Sequence, residues 1–414
     1  MSETSPEHIL ALDIGTEYVK AMIAVPAKNG DLDIIGISRT HQEAGSMVSG
    51  AISDIKNVTD VCEQAISEAE QQAGFIAKST IVGLAGELVK SNSTTIKYVR
   101  LDPNKTINDS ELSNLISKIQ QKAKTRVSET IADESVDQHT ELRLISSAIS
   151  SIFIDGHKVA NPIGFKGTQL EITLYTAFAP LVHISAIEKV CAELRLDLIA
   201  IAVEPFAVAR ACLSEQDSED LSVILIDIGG GTTDIAVINS GGIINTNMFD
   251  VAGRSFTRVV ANTLSVDEET AEKLKTHLDD PRLKSTVYDK ITGALEQNLK
   301  IWLSGIDIAL RDFDNLDMLP SQIYLSGGGA SLELIPELLA TSNWYSDLPF
   351  SHRPLVDLLD VTAFPGLNNQ TDLELDYTYA TVLGLLRVAI DTDALSSDSA
   401  TGKVKTRIKK LLKN

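Results

Sequence analysis

Two short turns in this sequence place an acidic residue beside glycine and threonine, between apolar runs that are typical of buried strands. Asp13 begins the first turn, and Asp227 begins the second in the other half of the chain. Glycine lets backbone N–H groups approach a phosphate closely, threonine hydroxyls add donors, and carboxylates can hold Mg²⁺ through its waters. One such turn would equally fit an ordinary hairpin, but the duplication favours a pair of phosphate-binding hairpins. The predicted donors are Gly15 and Thr16 in the first turn and Gly229, Gly230, Gly231, Thr232 and Thr233 in the second.

A third glycine turn follows another apolar run and precedes a helical stretch; its residues are Gly327, Gly328 and Gly329. Together the three turns resemble the phosphate-1, phosphate-2 and adenosine motifs of the actin/Hsp70/sugar-kinase ATPase superfamily. The resemblance implies an α/β, actin-like ATPase fold in which two ribonuclease-H-like domains enclose a nucleotide cleft. It also implies ATP and Mg²⁺ as cofactors. Asp13 and Asp227 would be catalytic residues that organise the metal through water, and the third turn would contact the adenosine.

The same resemblance assigns roles to four residues outside the turns. Glu204, in a segment that matches connect-1, would stand near the γ-phosphate and orient the attacking water; the alternative is an acid favoured there by the helix dipole. Lys20 would reach a β-phosphate, or would lie in solvent at a strand edge. Glu272 and Lys275 would hold the ribose and adenine, or would form an exposed ion pair on a helix. The turn at Gly253–Thr257 lacks the extra glycine and the aspartate of many relatives, which weakens the expectation of tight nucleotide binding.

The composition is that of a soluble globular protein of two or more domains, with 414 residues, 43% hydrophobic and 22% charged. The formal net charge of −21 argues against nucleic-acid binding. Cys62, Cys191 and Cys212 are widely spaced, which predicts neither disulfides nor a metal site and fits a reducing cytoplasm. The N-terminus lacks a signal-sequence pattern, and no apolar stretch reaches the roughly 20 residues of a transmembrane helix.

An insertion interrupts the predicted core and reads strand–helix–strand–strand. Its motifs Phe153–Gly156, Asn161–Gly164 and Gly167–Glu171 resemble the SHS2-type subdomain 1C of the FtsA family, the actin-like cell-division proteins of bacteria. The resemblance runs from about Ile9 to Ala389, and the chain is identified as a divergent member. The predicted segments are residues 1–86, the first part of ATPase domain 1; 87–178, the insert; 179–213, the remainder of domain 1; 214–390, ATPase domain 2; 391–400, a flexible linker; and 401–414, an amphipathic membrane-targeting helix.

The last segment is a basic block in an acidic chain, since residues 401–414 contain Lys and Arg but no Asp or Glu. At about 100° per residue its apolar residues fall on one stripe, flanked by two cations whose stems can snorkel. Such a helix would lie in the interface of an anionic membrane. The alternative is a basic tail that is solvated or docks on the protein's own acidic surface. The stripe is Val404, Ile408, Leu411 and Leu412, and the flanking cations are Lys405 and Arg407.

The family resemblance implies a protein that polymerises at the cytoplasmic face of the membrane and tethers the FtsZ ring to it at the division site. Its partners would be further copies of itself, FtsZ and other division proteins, and the anionic membrane, with no nucleic acid. Whether ATP is hydrolysed stays open; slow hydrolysis fits a site in which nucleotide mainly sets a filament-forming shape.

Three alternative functions differ from this one in features that a sequence can show. A PilM-like adaptor of type IV pilus assembly shares the hairpins and a similar insert but generally lacks the basic tail. An Hsp70-like ATPase would need a downstream peptide-binding domain. A small-molecule kinase would need a catalytic aspartate and a sugar pocket, for which the sequence carries no motif.

Overall fold

The computed structural model describes residues 8–27, 31–85, 89–134, 141–213, 220–313 and 316–393. The predicted membrane-binding residues, from Val404 to Leu412, lie outside these ranges. Within them, every helix is too short or too polar to cross a membrane.

Strands and helices alternate along the described ranges. In chain order the strands are β1 (Ile9–Ile14), β2 (Tyr18–Pro26), β3 (Leu32–His41), β4 (Met47–Val48), β5 (Ala51–Ile52), β6 (Ser79–Leu84), β7 (Lys90–Val99), β8 (Leu142–Ile154), β9 (His157–Lys158), β10 (Gln169–Pro180), β11 (Asp197–Val203), β12 (Val223–Ile228), β13 (Thr233–Asn239), β14 (Gly242–Phe249), β15 (Gln322–Ser326), β16 (Leu355–Leu358) and β17 (Leu367–Asn369). The helices are α1 (Ile55–Ala73), α2 (Asp109–Glu134), α3 (Leu181–Glu193), α4 (Glu204–Cys212), α5 (Gly253–Leu264), α6 (Glu268–Thr276), α7 (Ser285–Arg311), α8 (Leu334–Thr341) and α9 (Ala380–Asp393).

The first hairpin lies at the centre of a six-stranded sheet with the order β11-β6-β1-β2-β3-β17. Strand β1 pairs with β2 in antiparallel and with β6 in parallel orientation. Every residue of β1 is buried, as its apolar run predicts for a strand covered on both faces. One apolar core joins this sheet to α1, α3, α4 and α9.

The second hairpin, β12 and β13, occupies the corresponding place in a five-stranded sheet with the order β14-β13-β12-β15-β16. Strand β12 pairs antiparallel with β13 and parallel with β15, as β1 does with β2 and β6. A separate apolar core covers this sheet and encloses Trp302 of α7. The two central sheets therefore repeat one hairpin arrangement, each with a parallel strand beside it.

The insertion contributes a third sheet with the order β7-β10-β8-β9, which packs against α2. Its elements follow the predicted order, with the two-residue β9 in addition. The Ser150 hydroxyl of this sheet donates to the Ile243 carbonyl of β14 at 2.5 Å. At the other side, Tyr175 stacks on Phe206 of α4, with ring centroids 5.4 Å apart. The inserted sheet therefore contacts β14 of the five-stranded sheet and α4, which packs in the first core.

The chain returns to the first sheet near its end, which corrects the predicted extent of the second domain. Strand β17 pairs in parallel with β3, and α9 packs against α4 in the first core. Residues 367–393 therefore lie with the first sheet rather than with the domain predicted for 214–390. The predicted linker, residues 391–400, begins too early. Helix α9 continues to Asp393. The Asp391 carboxylate, which looks like part of an acidic linker, accepts a hydrogen bond from Arg210 Nη2 at 2.5 Å.

Helix α9 packs against α4 at a glycine. A Cβ atom on Gly384 would lie 2.5 Å from the carbonyl carbon and oxygen of Ala207. We expect Gly384→Ala to lower the free energy of unfolding by about 1–3 kcal/mol, because the two helices must move apart. Urea unfolding measures this change.

The matched control is Gly293→Ala in α7, where nothing lies within 4 Å of the Cβ position. Alanine there should leave the stability unchanged or raise it by up to about 1 kcal/mol, because alanine is the better helix former. A Gly384→Ala protein as stable as the parent would contradict the close helix packing.

Candidate functional site

The two predicted phosphate-binding turns lie against each other. Residues 13–17 are called the first turn below, and residues 227–232 the second turn. A Cβ atom on Gly231 would lie 2.5 Å from Thr16 Oγ1, so only glycine leaves room for the first turn at this point. The glycine run is therefore what allows turns from two different sheets to meet.

The first glycine of each turn closes that turn. The Gly15 N–H donates to the Tyr18 carbonyl at 3.1 Å, and the Gly229 N–H donates to the Thr232 carbonyl at 2.9 Å. These two donors are occupied, so Gly15 and Gly229 shape the turns, while Thr16 and the residues after Gly229 remain the predicted phosphate donors.

Thr233 is a correction to the predicted set of phosphate donors. It is fully buried, its hydroxyl donates to the Val251 carbonyl at 2.8 Å, and the same oxygen accepts from the indole N–H of Trp302 at 3.0 Å. The sequence places two threonines side by side, but Thr233 is the first residue of β13 and faces the core. Its hydroxyl therefore holds the base of the second turn instead of a ligand.

Four carboxylates, called the acidic cluster below, come together at the base of the turns: Asp13, Asp227, Asp234 and Glu204. Lys20 lies with them, its Nζ 3.0 Å from Asp13 Oδ2. This contact follows from the β1–β2 register, which pairs Asp13 with Lys20. The Lys20 side chain is 14% exposed, so the alternative of a solvated lysine at a strand edge is wrong.

Burial and mutual repulsion set the proton affinities in the cluster. Burial raises the pKa of Glu204 well above its ordinary value, and the charges of the three aspartates act in the same direction. Burial, followed by the Asp227 charge, likewise raises the pKa of Asp234. For Lys20, burial alone would lower the pKa, but attraction to Asp13 and the hydrogen bond with it outweigh burial and raise it. Glu204 and Asp234 therefore hold a proton more strongly than exposed carboxyls do, and Lys20 holds its proton more strongly than an exposed lysine does.

Neighbouring elements hold two of the acids in place. Asp227 Oδ2 accepts from the hydroxyls of Ser326 at 2.9 Å and Thr381 at 3.3 Å, at the ends of β15 and α9. Glu204 points toward the end of β6, where a Cβ atom on Gly83 would lie 2.9 Å from Glu204 Oε1. A helix dipole would lower the pKa of an N-terminal acid, so the raised pKa of Glu204 agrees better with membership of the cluster than with a dipole role.

Asp234 belongs to the cluster although the predicted site omits it. Its Oδ1 is buried without a hydrogen-bond partner, and its Oδ2 accepts from Thr232 Oγ1 at 3.2 Å. A buried oxygen without a partner is costly, and it suits a site that takes up a cation or its waters. The sequence does contain a sign of this role, because Asp234 lies two residues after the second turn. There β13 pairs it with Asp227.

A metal in this cluster would be held indirectly. Across the described ranges, no three His, Cys, Asp or Glu side chains are arranged to bind a metal ion directly. Mg²⁺ keeps several of its waters in proteins and is often bound through one or two carboxylates. The residues present therefore suit the predicted arrangement, in which Asp13 and Asp227 hold Mg²⁺ through water.

The start of α5 connects the two turns. The backbone N–H groups of Gly253 and Arg254 donate to carbonyls of the second turn at 3.0 and 2.8 Å. The Arg254 guanidinium crosses to the first turn, with Nε 3.0 Å from Glu17 Oε2 and Nη2 donating to the Thr16 carbonyl at 2.6 Å. No sequence pattern relates Glu17 to Arg254, so this contact could not be predicted.

Glu272 and Lys275 form the predicted ion pair, with Oε2 and Nζ 2.7 Å apart. Lys275 Nζ also donates to Thr257 Oγ1 at 3.0 Å and to the Gly253 carbonyl at 3.2 Å, so it fastens α6 to the start of α5. Lys275 is buried, whereas the Glu272 side chain is 38% exposed, so the alternative of a fully exposed pair is wrong for the lysine. Contact with ribose and adenine stays a prediction.

The third glycine turn packs against the second. Gly327 has a φ of +80°, and a Cβ atom on it would lie 2.5 Å from the Ile228 carbonyl oxygen. Gly329 likewise leaves no room for a Cβ beside the Ile228 side chain, whereas nothing lies within 4 Å of the Cβ position of Gly328. All three glycine turns are therefore neighbours, and only the middle glycine of the third has open space beside it.

The sequence of this chain is similar to those of known cell-division proteins. A family model described as Cell division protein FtsA matches residues 224–384. The Cell division protein FtsA of Pseudomonas aeruginosa is 27% identical over an alignment of length 441, which covers 99% of this chain and 98% of that protein. The chain is therefore similar to an FtsA protein along nearly its whole length. FtsA proteins of Streptococcus pneumoniae and Bacillus subtilis are 28% and 29% identical, over 79% and 66% of this chain and 72% and 58% of theirs.

Comparison with solved structures identifies the fold of this chain. A chain from a PilM–PilN type IV pilus biogenesis complex superimposes with a TM-score of 0.64 and 16% identity, covering 92% of this chain and 98% of that one. A diol dehydratase-reactivating factor in nucleotide-free form gives a TM-score of 0.52 and 11% identity, over 93% and 100% of the two chains. At such low identity these likenesses bear on the fold alone. The fold is that of the actin-like ATPases, as the three turns predict.

Glu204 provides a test of how this protein stabilises its buried charges. Because its pKa is raised by folding, the folded protein keeps a proton that the unfolded chain releases above its ordinary pKa, and the free energy of unfolding falls as the pH rises through that window. We expect Glu204→Gln to be more stable than the parent at neutral pH, with a difference that shrinks toward about pH 4. Urea unfolding over a pH series measures it.

Glu63→Gln on the exposed side of α1 removes the same charge outside the cluster. Its stability relative to the parent should change little over this range. If the Glu204→Gln difference is equally flat with pH, the raised pKa of Glu204 is wrong.

Proposed function

We propose that this protein binds ATP with Mg²⁺ between its two turns and acts in cell division as a self-assembling protein that tethers the FtsZ ring to the cytoplasmic face of the membrane. The observation that carries the proposal is the meeting of two duplicated turns over a buried acidic cluster that contains one lysine. Similarity to cell-division proteins, over nearly the whole chain for one of them, supports the cellular role.

Different residues of the site would contact the phosphates, the metal and the nucleoside. Phosphate oxygens would accept from the backbone N–H groups of Thr16 and of Gly230–Thr232, and Lys20 would add positive charge beside them. Asp13 and Asp227 would hold the metal through water. Bound Mg²⁺ would neutralise phosphate charge, and phosphoryl transfer needs positioning and charge neutralisation more than covalent chemistry. Glu272 and Lys275 would contact the ribose and adenine, and Gly327–Gly329 would pass beside the adenosine.

Glu204 would act only once a cation is present. In the free protein the aspartate charges help to keep its proton on. A divalent cation among the aspartates would offset those charges, lower the pKa of Glu204 and leave a carboxylate that can accept a hydrogen bond from water. This arrangement is compatible with slow hydrolysis, in which nucleotide serves mainly to set the shape of the protomer.

The assembly role would use parts of the chain away from the turns. The inserted sheet, residues 87–178 as predicted, would provide contacts between protomers or with other division proteins. The tail would supply the membrane contact through the stripe that includes Ile408 and Leu411. Four apolar side chains bind a membrane only weakly, so polymerisation would add avidity by multiplying the tails.

Asp227→Asn tests the metal assignment. Asparagine keeps an oxygen that accepts from Ser326 and Thr381 but removes the charge that would hold magnesium-bound water. In the parent, ATP should bind more tightly with Mg²⁺ than with EDTA. In the variant most of this gain should be lost, about ten-fold or more in Kd, as measured with a fluorescent ATP analogue.

Asp250→Asn is the matched control, because Asp250 is exposed at the end of β14 and outside the cluster. It should keep the full magnesium effect. If Asp227→Asn keeps it too, the carboxylate does not organise the metal, and if the parent binds no ATP, the nucleotide proposal itself is wrong.

Truncation after Ala400 tests the membrane tether. The truncated protein should no longer co-sediment with anionic vesicles but should bind ATP like the parent. Ile408→Glu with Leu411→Glu should have the same effect at full length. High salt should weaken binding of the parent because the electrostatic part is screened.

Thr406→Glu with Asn414→Glu is a charge-matched control off the apolar stripe. It should lose only the electrostatic part, about 1 kcal/mol per charge near the surface, and therefore bind better than the stripe variant. Equal co-sedimentation of truncated and full-length protein would contradict the tether and favour an adaptor of the PilM type.

A further inference from the structure

One charged contact joins the two halves of the cleft at the turns. Arg254 Nε lies 3.0 Å from Glu17 Oε2, and Nη2 donates to the Thr16 carbonyl at 2.6 Å. A Cβ atom on Gly230 would lie 2.9 Å from Glu17 Cβ, so the Glu17 side chain fills the space beside the second turn. An acidic side chain therefore occupies the mouth of the proposed phosphate site, and an arginine from the opposite half neutralises it.

Glu17 has a second partner in its own half. Its Oε1 lies 2.9 Å from His41 Nε2, at the end of β3. Its two oxygens thus contact two different partners, one on each side of the cleft. If Arg254 left, Glu17 would keep a hydrogen bond, so loss of the Arg254 contact would not leave its carboxylate without a partner.

The charge around the turns explains why an arginine is needed. A phosphate chain that enters here meets the acidic cluster, and Lys20 is already bound to Asp13. Arg254 is partly buried, with a side chain 19% exposed, and it reaches both turns. A guanidinium can bind two oxygens of a phosphate at once, and such charge-assisted pairs are roughly twice as strong as neutral hydrogen bonds.

We infer that Arg254 is a phosphate-binding residue and that Glu17 is its competitor: Glu17 holds Arg254 when no nucleotide is bound, and a nucleotide phosphate takes the place of Glu17. This inference rests on the proposed nucleotide site and adds the two residues that set its affinity for phosphate. After the exchange Glu17 remains on His41. The pair thereby makes the protein respond to the phosphate chain of a nucleoside rather than to the nucleoside itself.

The test uses ATP and adenosine as probes with the full-length protein. Glu17→Gln keeps the shape beside Gly230 and removes the charge, so it should bind ATP about three- to ten-fold more tightly. Arg254→Gln should bind ATP about ten-fold or more weakly. Neither variant should change adenosine binding by more than about two-fold. Glu43→Gln, an exposed acid on the loop after β3, is the matched control and should behave like the parent.

The double variant separates competition from simple charge removal. If Glu17 acts by occupying Arg254, the gain from Glu17→Gln disappears in the Arg254→Gln background; if Glu17 only repels phosphate, the gain persists and the inference is wrong. Unchanged ATP affinity in Glu17→Gln, or equal losses of ATP and adenosine binding in Arg254→Gln, would also overturn it. Absence of ATP binding in the parent and in Glu17→Gln alike would contradict the proposed nucleotide site itself, which is a different result.

Discussion

The burial of four carboxylates around a single lysine is the constraint on which the site depends. Each hairpin has a pair of charged residues at the same position of its strand pairing, but the net charges of the two pairs differ. The first pairs Asp13 with Lys20 and is neutral by itself, whereas the second pairs Asp227 with Asp234 and is not. Raised proton affinity makes this tolerable in the free protein, and a cation would relieve it. The excess of acid on the second hairpin indicates which side of the cleft such a cation would approach.

Other elements of the fold place residues beside the acidic cluster. Each hairpin has a parallel strand beside it, and the ends of these strands supply Gly83 beside Glu204 and the Ser326 hydroxyl beside Asp227. Glycines in the second and third turns let three backbone segments from different elements approach one point. The resulting geometry comes from backbone packing, so exchanging charges in the cluster should alter its chemistry more than its shape.

The sequence was sufficient for everything that depends on local pattern. Apolar runs, turn glycines and an interrupted core predicted the two hairpins, the third glycine turn and the order of elements in the insertion. Contacts between residues that are distant in the sequence could not be predicted from it. Glu17 and Arg254 look like ordinary surface charges until the fold makes them neighbours, and Asp391 looks like part of an acidic linker until its partner Arg210 is known. Thr232 and Thr233 are neighbours in the sequence and both are buried, so only the contacts of the Thr233 hydroxyl with Val251 and Trp302 distinguish them.

The return of the chain to the first sheet has a mechanical consequence. Everything beyond Asp393 is covalently continuous with α9, so traction on that continuation is applied to the first half of the molecule. It would pass through the Asp391–Arg210 ion pair into α4, the helix whose opposite end is Glu204. A protein anchored by its tail would therefore transmit tension along α4 toward the acidic cluster.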